Sequence, residues 1–343
     1  MSAGLKVLAP GLHTTVQDLG RPGYQALGVP VSGALDEFSL RLANALVGNS
    51  PGMPVLEVLI SGPTFEVAAD TVRMALGGDG ASLAIGAEKA RIGSGQSVTL
   101  AHGTVIEVVA GRQSACCYLA VEGGIAVPLV LGSASTYVRA AIGGLDGRAL
   151  RQADFVPLAI ARASDRAELR LSSSLPPTGN QPIRVVLGPQ QEYFTEEAIA
   201  ALLDSEFRVS QSTDRMGMRL DGPLLQHRDG WDIVSDAITT GAIQVPGSGQ
   251  PILLLADHQT TGGYPKIATV ISPDLPLVGR RRPGEALRFV AVTVQAAEEL
   301  CRAEERRLGE LAAQLEPLPD RAGIDITSLY HGNLISGVVS GLD

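Results

Sequence analysis

Cysteine is scarce: three residues in a chain of 343, two of them adjacent at Cys116 and Cys117. That is too few, and too badly spaced, for a disulfide framework, so the thiols are expected to be reduced and the compartment cytoplasmic. Positive charge is also short. The net charge is −9, with no basic stripe, which argues against nucleic-acid binding. No apolar run approaches the roughly 20 residues a membrane helix needs. The opening Met-Ser-Ala-Gly-Leu-Lys has no secretory apolar core, so no membrane partner is expected. Catalytic signatures are missing as well. There is no GxxxxGK[ST] loop, no GxGxxG opening a helix and no GxSxG elbow. The five histidines form no HxxxH pair, and no metal site is expected. No Met-Lys-Met is present, so a biotin could be carried only by another chain.

What remains is rich in turns and short β runs. Gly (40) and Pro (21) punctuate Val/Ile/Leu-rich segments, which favours a mainly β fold with a few helices, and the length favours two domains. Strands are expected at Val55–Ile60, Phe65–Ala68, Val72–Leu76, Ser82–Ile85, Ser97–Ala101, Val105–Val109 and Ala115–Val121. Strands at this spacing indicate a barrel or sandwich, with Gly77–Gly80 as a hairpin turn and the two adjacent cysteines in the core. The polar segment from His13 through Asp36 reads as too irregular for a helix or a central strand. Asp36 is placed to cap a helix carrying Phe38, Leu42 and Leu46. Leu129–Gly147, rich in small residues, reads as an exposed, site-forming loop. Ser172–Gln181 reads as the linker, dividing the chain into residues 1–175, residues 176–292 and a helix and tail over 293–343. Helices are expected at Thr195–Leu203 and, as a packing element, at Val294–Leu315.

Chemistry concentrates in Asp257-His258-Gln259-Thr260-Thr261-Gly262-Gly263-Tyr264-Pro265-Lys266, at the end of an apolar strand, Pro251–Ala256. An ordinary turn needs no such inventory. Gly262-Gly263 is expected to take positive φ and turn backbone N–H groups toward a ligand. Lys266 is one of only three lysines beside 24 arginines, so a compact ammonium here suggests a purpose that arginine does not serve.

The segments Thr14–Tyr24, Gly28–Pro30 and Ser32–Asp36, with Asp214-Arg215-Met216-Gly217, Gly241–Pro246 and Asp257–Lys266, resemble one family over about residues 5–290. That family is the C component of 5-oxoprolinase, also labelled allophanate hydrolase subunit 2 or biotin-dependent carboxyltransferase. The resemblance implies two cyclophilin-like β-barrels. It further implies an ATP-dependent 5-oxoprolinase complex, with A-like and B-like components as partners, that opens 5-oxoproline to glutamate. A related module transfers carboxyl from carboxybiotin to urea, so the substrate is expected to be a small amide. Carried onto this chain, the resemblance makes Lys266 and Asp257 catalytic, Lys266 stabilising developing negative charge and Asp257 orienting the amide or acting as base. Gln259, Thr260, Thr261, Gly262, Gly263, Tyr264, Asp18, Arg21, Asp36, Arg215 and Gln244 are expected to bind substrate. His258 stands where the resemblance implies arginine, and is given a supporting role.

Overall fold

A computed structural model describes residues 3–172 and 181–318. Its strands form two cyclophilin-like β-barrel units. Four α-helices accompany them among the described residues: α1 (Glu37–Leu46), α2 (Glu196–Asp204), α3 (Leu275–Gly279) and α4 (Val294–Gly309).

The first unit packs a six-stranded sheet against a five-stranded one, all strands antiparallel. Cys116–Val121 shows how the two-residue period of a strand builds it. Cys117, Leu119 and Val121 face the core between the sheets, where they join Leu5, Phe65 and Met74. Cys116, Tyr118 and Ala120 point the other way and pack under α1 against Phe38, Leu42 and Leu46. The adjacent cysteines are therefore both core residues, on opposite faces. Helix α1 starts where Asp36 accepts a bond from Ser39 N at 3.0 Å, as the sequence suggested.

One local expectation is sharpened and two are corrected. His13–Gln17 is a regular strand at the edge of the five-stranded sheet, paired with Val55–Leu59 through its β-branched Thr-Thr-Val core, although His13 Nδ1 and Gln17 Oε1 are left without a partner among the described residues. Thr14 Oγ1 donates to Pro10 O at 2.8 Å, and Gln17 Nε2 to Thr136 O at 3.1 Å. Gly77–Gly80 is no hairpin: Thr71–Gly77 lies in the five-stranded sheet and Ser82–Ile85 in the six-stranded one. Gly78, at φ 128°, carries the chain across, where a Cβ would sit 2.7 Å from Cys117 Cβ. Helix α4 stops at Gly309, and Leu315–Pro317 then forms a strand beside Leu169–Leu171.

The second unit is one eight-stranded sheet, antiparallel except where Ile183–Leu187 runs parallel to Phe289–Ala291. Its core holds Phe194, Phe207, Leu253, Ile267 and Phe289, with α2, capped by Thr195, laid over one side. We propose the division at 175/176 and 292/293 expected from sequence. Residues 173–180 of the linker, and the tail beyond 318, lie outside the described residues.

Gly78→Ala is expected to lower stability by about 3 kcal/mol, as a left-handed backbone and a fixed clash combine. Gly86→Ala, also at positive φ but with open space around it, should cost about 1 kcal/mol. Urea denaturation of the two variants checks the difference.

Candidate functional site

Arg215 stands at the turn between strands Phe207–Asp214 and Gly217–Asp221, where Asp214 Oδ1 accepts Met216 N at 2.8 Å. Its side chain is buried and runs into the first unit. Nη1 meets the carboxylate of Glu57, and Nη2 donates to Gly33 O at 2.6 Å. Nε and Nη2 hold Asp257 of the second unit at 2.8 and 3.2 Å. Burial works against the charge, but Glu57 and Asp257 outweigh it and hold the guanidinium above its ordinary value. The network continues outward. Glu57 Oε2 accepts from Tyr118 Oη at 2.7 Å and Leu35 N at 3.0 Å, and Tyr118 Oη accepts from Asp36 N at 2.8 Å. Asp36 in turn holds Arg280 Nη2 at 3.0 Å. Three residues expected at the substrate, Arg215, Asp36 and Asp257, are thus brought together as the lock between the units. Both oxygens of Asp257 accept from Arg215, which fixes the strand end that Asp257 occupies.

Asp18 and Arg21 do a different job. Asp18 Oδ1 accepts from Ser133 Oγ at 2.6 Å and Gly20 N at 2.7 Å, and Oδ2 from Ala134 N at 2.6 Å. Arg21, 1% exposed, donates to Ser135 O, and burial pushes its pKa down. The two anchor the Leu129–Gly147 loop, which delivers Arg139 to the junction of the units. There Arg139 meets Asp214 at 3.6 Å.

At that place opens a cavity of about 460 Å³, whose polar lining includes Arg139, Asp214, Arg219, Gln244, Gln259 and Tyr264. Gln259 Nε2 donates to Gln244 Oε1 at 3.3 Å, and Gln244 Nε2 to Tyr264 O at 3.4 Å. Tyr264 also faces Trp231, ring centroids 6.1 Å apart. Three of the expected substrate residues, Gln244, Gln259 and Tyr264, therefore share one wall. Lys266 does not line the cavity. It is the register partner of Gln244, is 2% exposed, and places Nζ 2.8 Å from Asp236 Oδ2. Gln190 braces the pair by accepting from Lys266 N at 3.1 Å and donating to Asp236 at 3.0 Å. The Lys266 bond holds the Asp236 carboxyl below its usual range, helped by Gln190.

Gly262 and Gly263 are not at positive φ, contrary to expectation. Thr261-Gly262 instead pairs with Asp236-Ala237, Thr260 O accepts from Ile238 N at 3.0 Å, and Gly263 O accepts from Ile233 N at 2.8 Å. At Gly262 a Cβ would lie 2.7 Å from Gln244 Nε2 and from Ile238 Cδ1, the movable ends of two side chains. His258 is buried in support, its Nδ1 at 2.5 Å from Gln259 O and Nε2 at 3.2 Å from Thr240 Oγ1. A carbonyl only accepts, so Nδ1 carries the proton and Nε2 accepts from Thr240. Burial pushes the imidazole below 6.5, against the opposing pull of Gln259 and Asp257.

Sequence reasoning missed Arg139, Asp214, Arg219, Asp236 and Gln190. Arg139 lies in the loop read as site-forming, Asp214 opens the Asp214–Gly217 motif already noted, and Arg219 follows two residues after it. Asp236 and Gln190 carry no local signal, since only folding brings them to Lys266. Among the described residues, no group of three or more His, Cys, Asp or Glu is placed to hold a metal, and no helix is long and apolar enough to cross a membrane.

A family model described as carboxyltransferase domain, subdomain A and B, matches residues 27–291. The chain is 34% identical over 311 residues to the C component of 5-oxoprolinase from Escherichia coli (strain K12), covering 91% of this chain and 98% of that protein. It is 35% identical to the Haemophilus influenzae protein of the same name, covering 87% and 94%. Among solved structures, the urea amidolyase of K. lactis superposes with a TM-score of 0.83 at 29% identity, over 93% of this chain. The chain spans 20% of that much longer protein.

Arg215→Ala should cost about 3–5 kcal/mol, because Glu57 and Asp257 are left buried without their cation. Replacing all three (Glu57→Gln, Asp257→Asn, Arg215→Met) should recover more than half of that loss in the same urea titration. His258 adds a pH dependence whose sign is fixed. With the folded pKa below 6.5, the unfolded chain takes up the proton first as pH falls. The stabilisation is complete above about 6.5 and is lost below it, toward the folded pKa. Melting temperature should therefore drop between neutral and mildly acidic pH, and drop less in His258→Gln.

Proposed function

The chain belongs to the family of the carboxyltransferase domain, subdomains A and B, and on that premise we propose that it is the C-type component of an ATP-dependent 5-oxoprolinase complex. The observation that carries this reading is the pair of guanidinium groups, Arg139 and Arg219, in the wall of a cavity whose other polar groups are amides, hydroxyls, a phenol and the Asp214 carboxylate, which meets Arg139 at 3.6 Å. The substrate 5-oxoproline bears one carboxylate and one cyclic amide. Arginine matches a carboxylate fork to fork. Gln244 and Gln259, joined by a long 3.3 Å bond, can each turn an amide edge to the lactam N–H and C=O. Tyr264, Ile252 and Leu254 offer the apolar side for a small ring. Ring opening adds water across the lactam C–N bond and leaves a carboxylate and an amine. Negative charge develops on the carbonyl oxygen, and Lys266, the strand partner of Gln244 and paired with Asp236, is the buried ammonium that this reading assigns to it.

This chain has no phosphate loop, so ATP would be handled by the A-like and B-like partners of the complex, which also makes the isolated chain inactive in this reading. The second reading is carboxyl transfer to urea or a related small amide, with biotin carried on another chain. It is favoured by the family model's description and the urea amidolyase likeness. Free urea has no carboxylate for the arginines to hold, so the response to each substrate separates the two.

The test uses the complex co-purified with its partners, assayed for ATP hydrolysis with 5-oxoproline, with urea and without substrate. Lys266→Ala should lower kcat/KM by about a hundredfold with little change in melting temperature. Lys266→Arg should be nearly as damaging, because a planar fork does not replace a compact ammonium. Arg219→Gln should raise KM for 5-oxoproline by about tenfold or more, one lost charged contact. A complex stimulated by urea alone, with Arg219→Gln silent, would establish the second reading. Activity of Lys266→Ala within about threefold of the parent would remove Lys266 from the site.

A further inference from the structure

A second cavity, of about 400 Å³, lies on the other side of the Leu255–His258 segment. Leu19 and Phe38 of the first unit and Leu255 and Leu275 of the second line it, and α4 closes it with Cys301 and Leu308. The family match ends at residue 291, before α4 begins, so one wall of this cavity is built from chain beyond that match. Its size and apolar lining suit a small organic ligand. Two independent features describe the polar end of such a ligand. Three carboxylates, Glu37, Glu304 and Glu305, line the cavity, and no lysine or arginine does. Arg41 and Arg307 pair with these acids from outside the lining, Arg41 at 3.4 Å to Glu37 and 3.7 Å to Glu305, and Arg307 at 2.6 Å to Glu304. Separately, Ser32 in the wall is 6% exposed and its Oγ has no hydrogen-bond partner. It sits at φ 56°, uncommon for a residue other than glycine. An unpartnered buried hydroxyl is costly unless something meets it.

We propose that this cavity is a binding site for a small organic ammonium, with an apolar body seated between Phe38, Leu255 and Leu308 and the cation taken up by the Glu37 carboxylate and the Ser32 hydroxyl. Burial already holds the Glu37 carboxyl above its ordinary range, so a cationic neighbour relieves an existing cost. Anions, 5-oxoproline among them, are excluded by the same three acids, which makes this site distinct from the arginine-lined cavity. Its occupancy would bear on that cavity nonetheless. Ser32 N donates to Ala256 O at 3.1 Å, Thr240 in the wall bonds His258, and Asp257 is the next residue after Ala256. A ligand here grips both units at the Arg215 lock.

The probe is 2-phenylethylammonium, compared with 2-phenylethanol and 3-phenylpropionate on the full chain by calorimetry. The ammonium should bind at least about tenfold tighter than the alcohol, and the carboxylate should not bind. Cys301 supplies an independent readout: it is the partly exposed thiol, whereas Cys116 and Cys117 are buried. The ammonium should slow its alkylation by N-ethylmaleimide in the unmodified chain. Ser32→Ala should weaken binding about fivefold or more without lowering the melting temperature, since only an unpartnered hydroxyl is lost. Cys301→Trp should fill the cavity and abolish binding. If the ammonium leaves Cys301 labelling unchanged, or binds no better than the carboxylate, or binds Ser32→Ala as tightly as the parent, the cavity is a packing void and the proposal falls.

Discussion

One buried cation ties this molecule together. Arg215 reaches from a turn of the second barrel to Glu57 in a central strand of the first, to the backbone of Gly33, and back to Asp257. Each charge would be prohibitive alone at that depth. Together they are satisfied, and the arrangement exists only when both barrels sit in one relative position. Asp36 and Arg280 repeat the device nearby, through the cap of α1. The interface is thereby specified by direction as well as by area, which apolar contact alone would not do.

The arginine-lined cavity inherits its geometry from that lock. Arg139 comes from the first barrel, and Arg219, Gln244, Gln259 and Tyr264 come from the second. A small rotation between the barrels would move one guanidinium away from the rest. Asp18 contributes at one remove, because its carboxylate gathers Ser133, Ala134 and Ser135 and so shapes the loop that carries Arg139. Residues that look like substrate ligands in the sequence can thus be essential to a site without touching what it binds.

Much of the fold was legible from local pattern. Strands with clear two-residue alternation or continuous apolar text, such as Ser82–Ile85 and Val105–Val109, fall where expected, and so do the caps at Asp36 and Thr195. His13–Gln17 was hard to read because its strand partner lies about 40 residues on and the Gln17 amide meets Thr136, both outside any local window. The Gly77–Gly80 turn was misread for a related reason. A glycine turn looks the same whether the chain folds back in one sheet or crosses to another, and only the strand partners decide. In the site, Gly262 lies in a short strand pairing, neither it nor Gly263 takes a left-handed backbone, and a Cβ at Gly262 would meet the ends of Gln244 and Ile238.

The sequence by itself determined the class of the molecule, mainly β, and through its long motifs the family and the Asp257–Lys266 segment where polar groups gather. Those features are local or linear, written in adjacent residues. The tertiary structure alone decided which of the polar groups face a cavity and which hold the frame. Asp257 became a partner of Arg215, Lys266 a partner of Asp236, and Arg139 a wall of the site. The physical reason is that a charged side chain has no fixed role until its surroundings are set. In water it needs no partner, and in a barrel interior it must find one, wherever in the chain that partner lies.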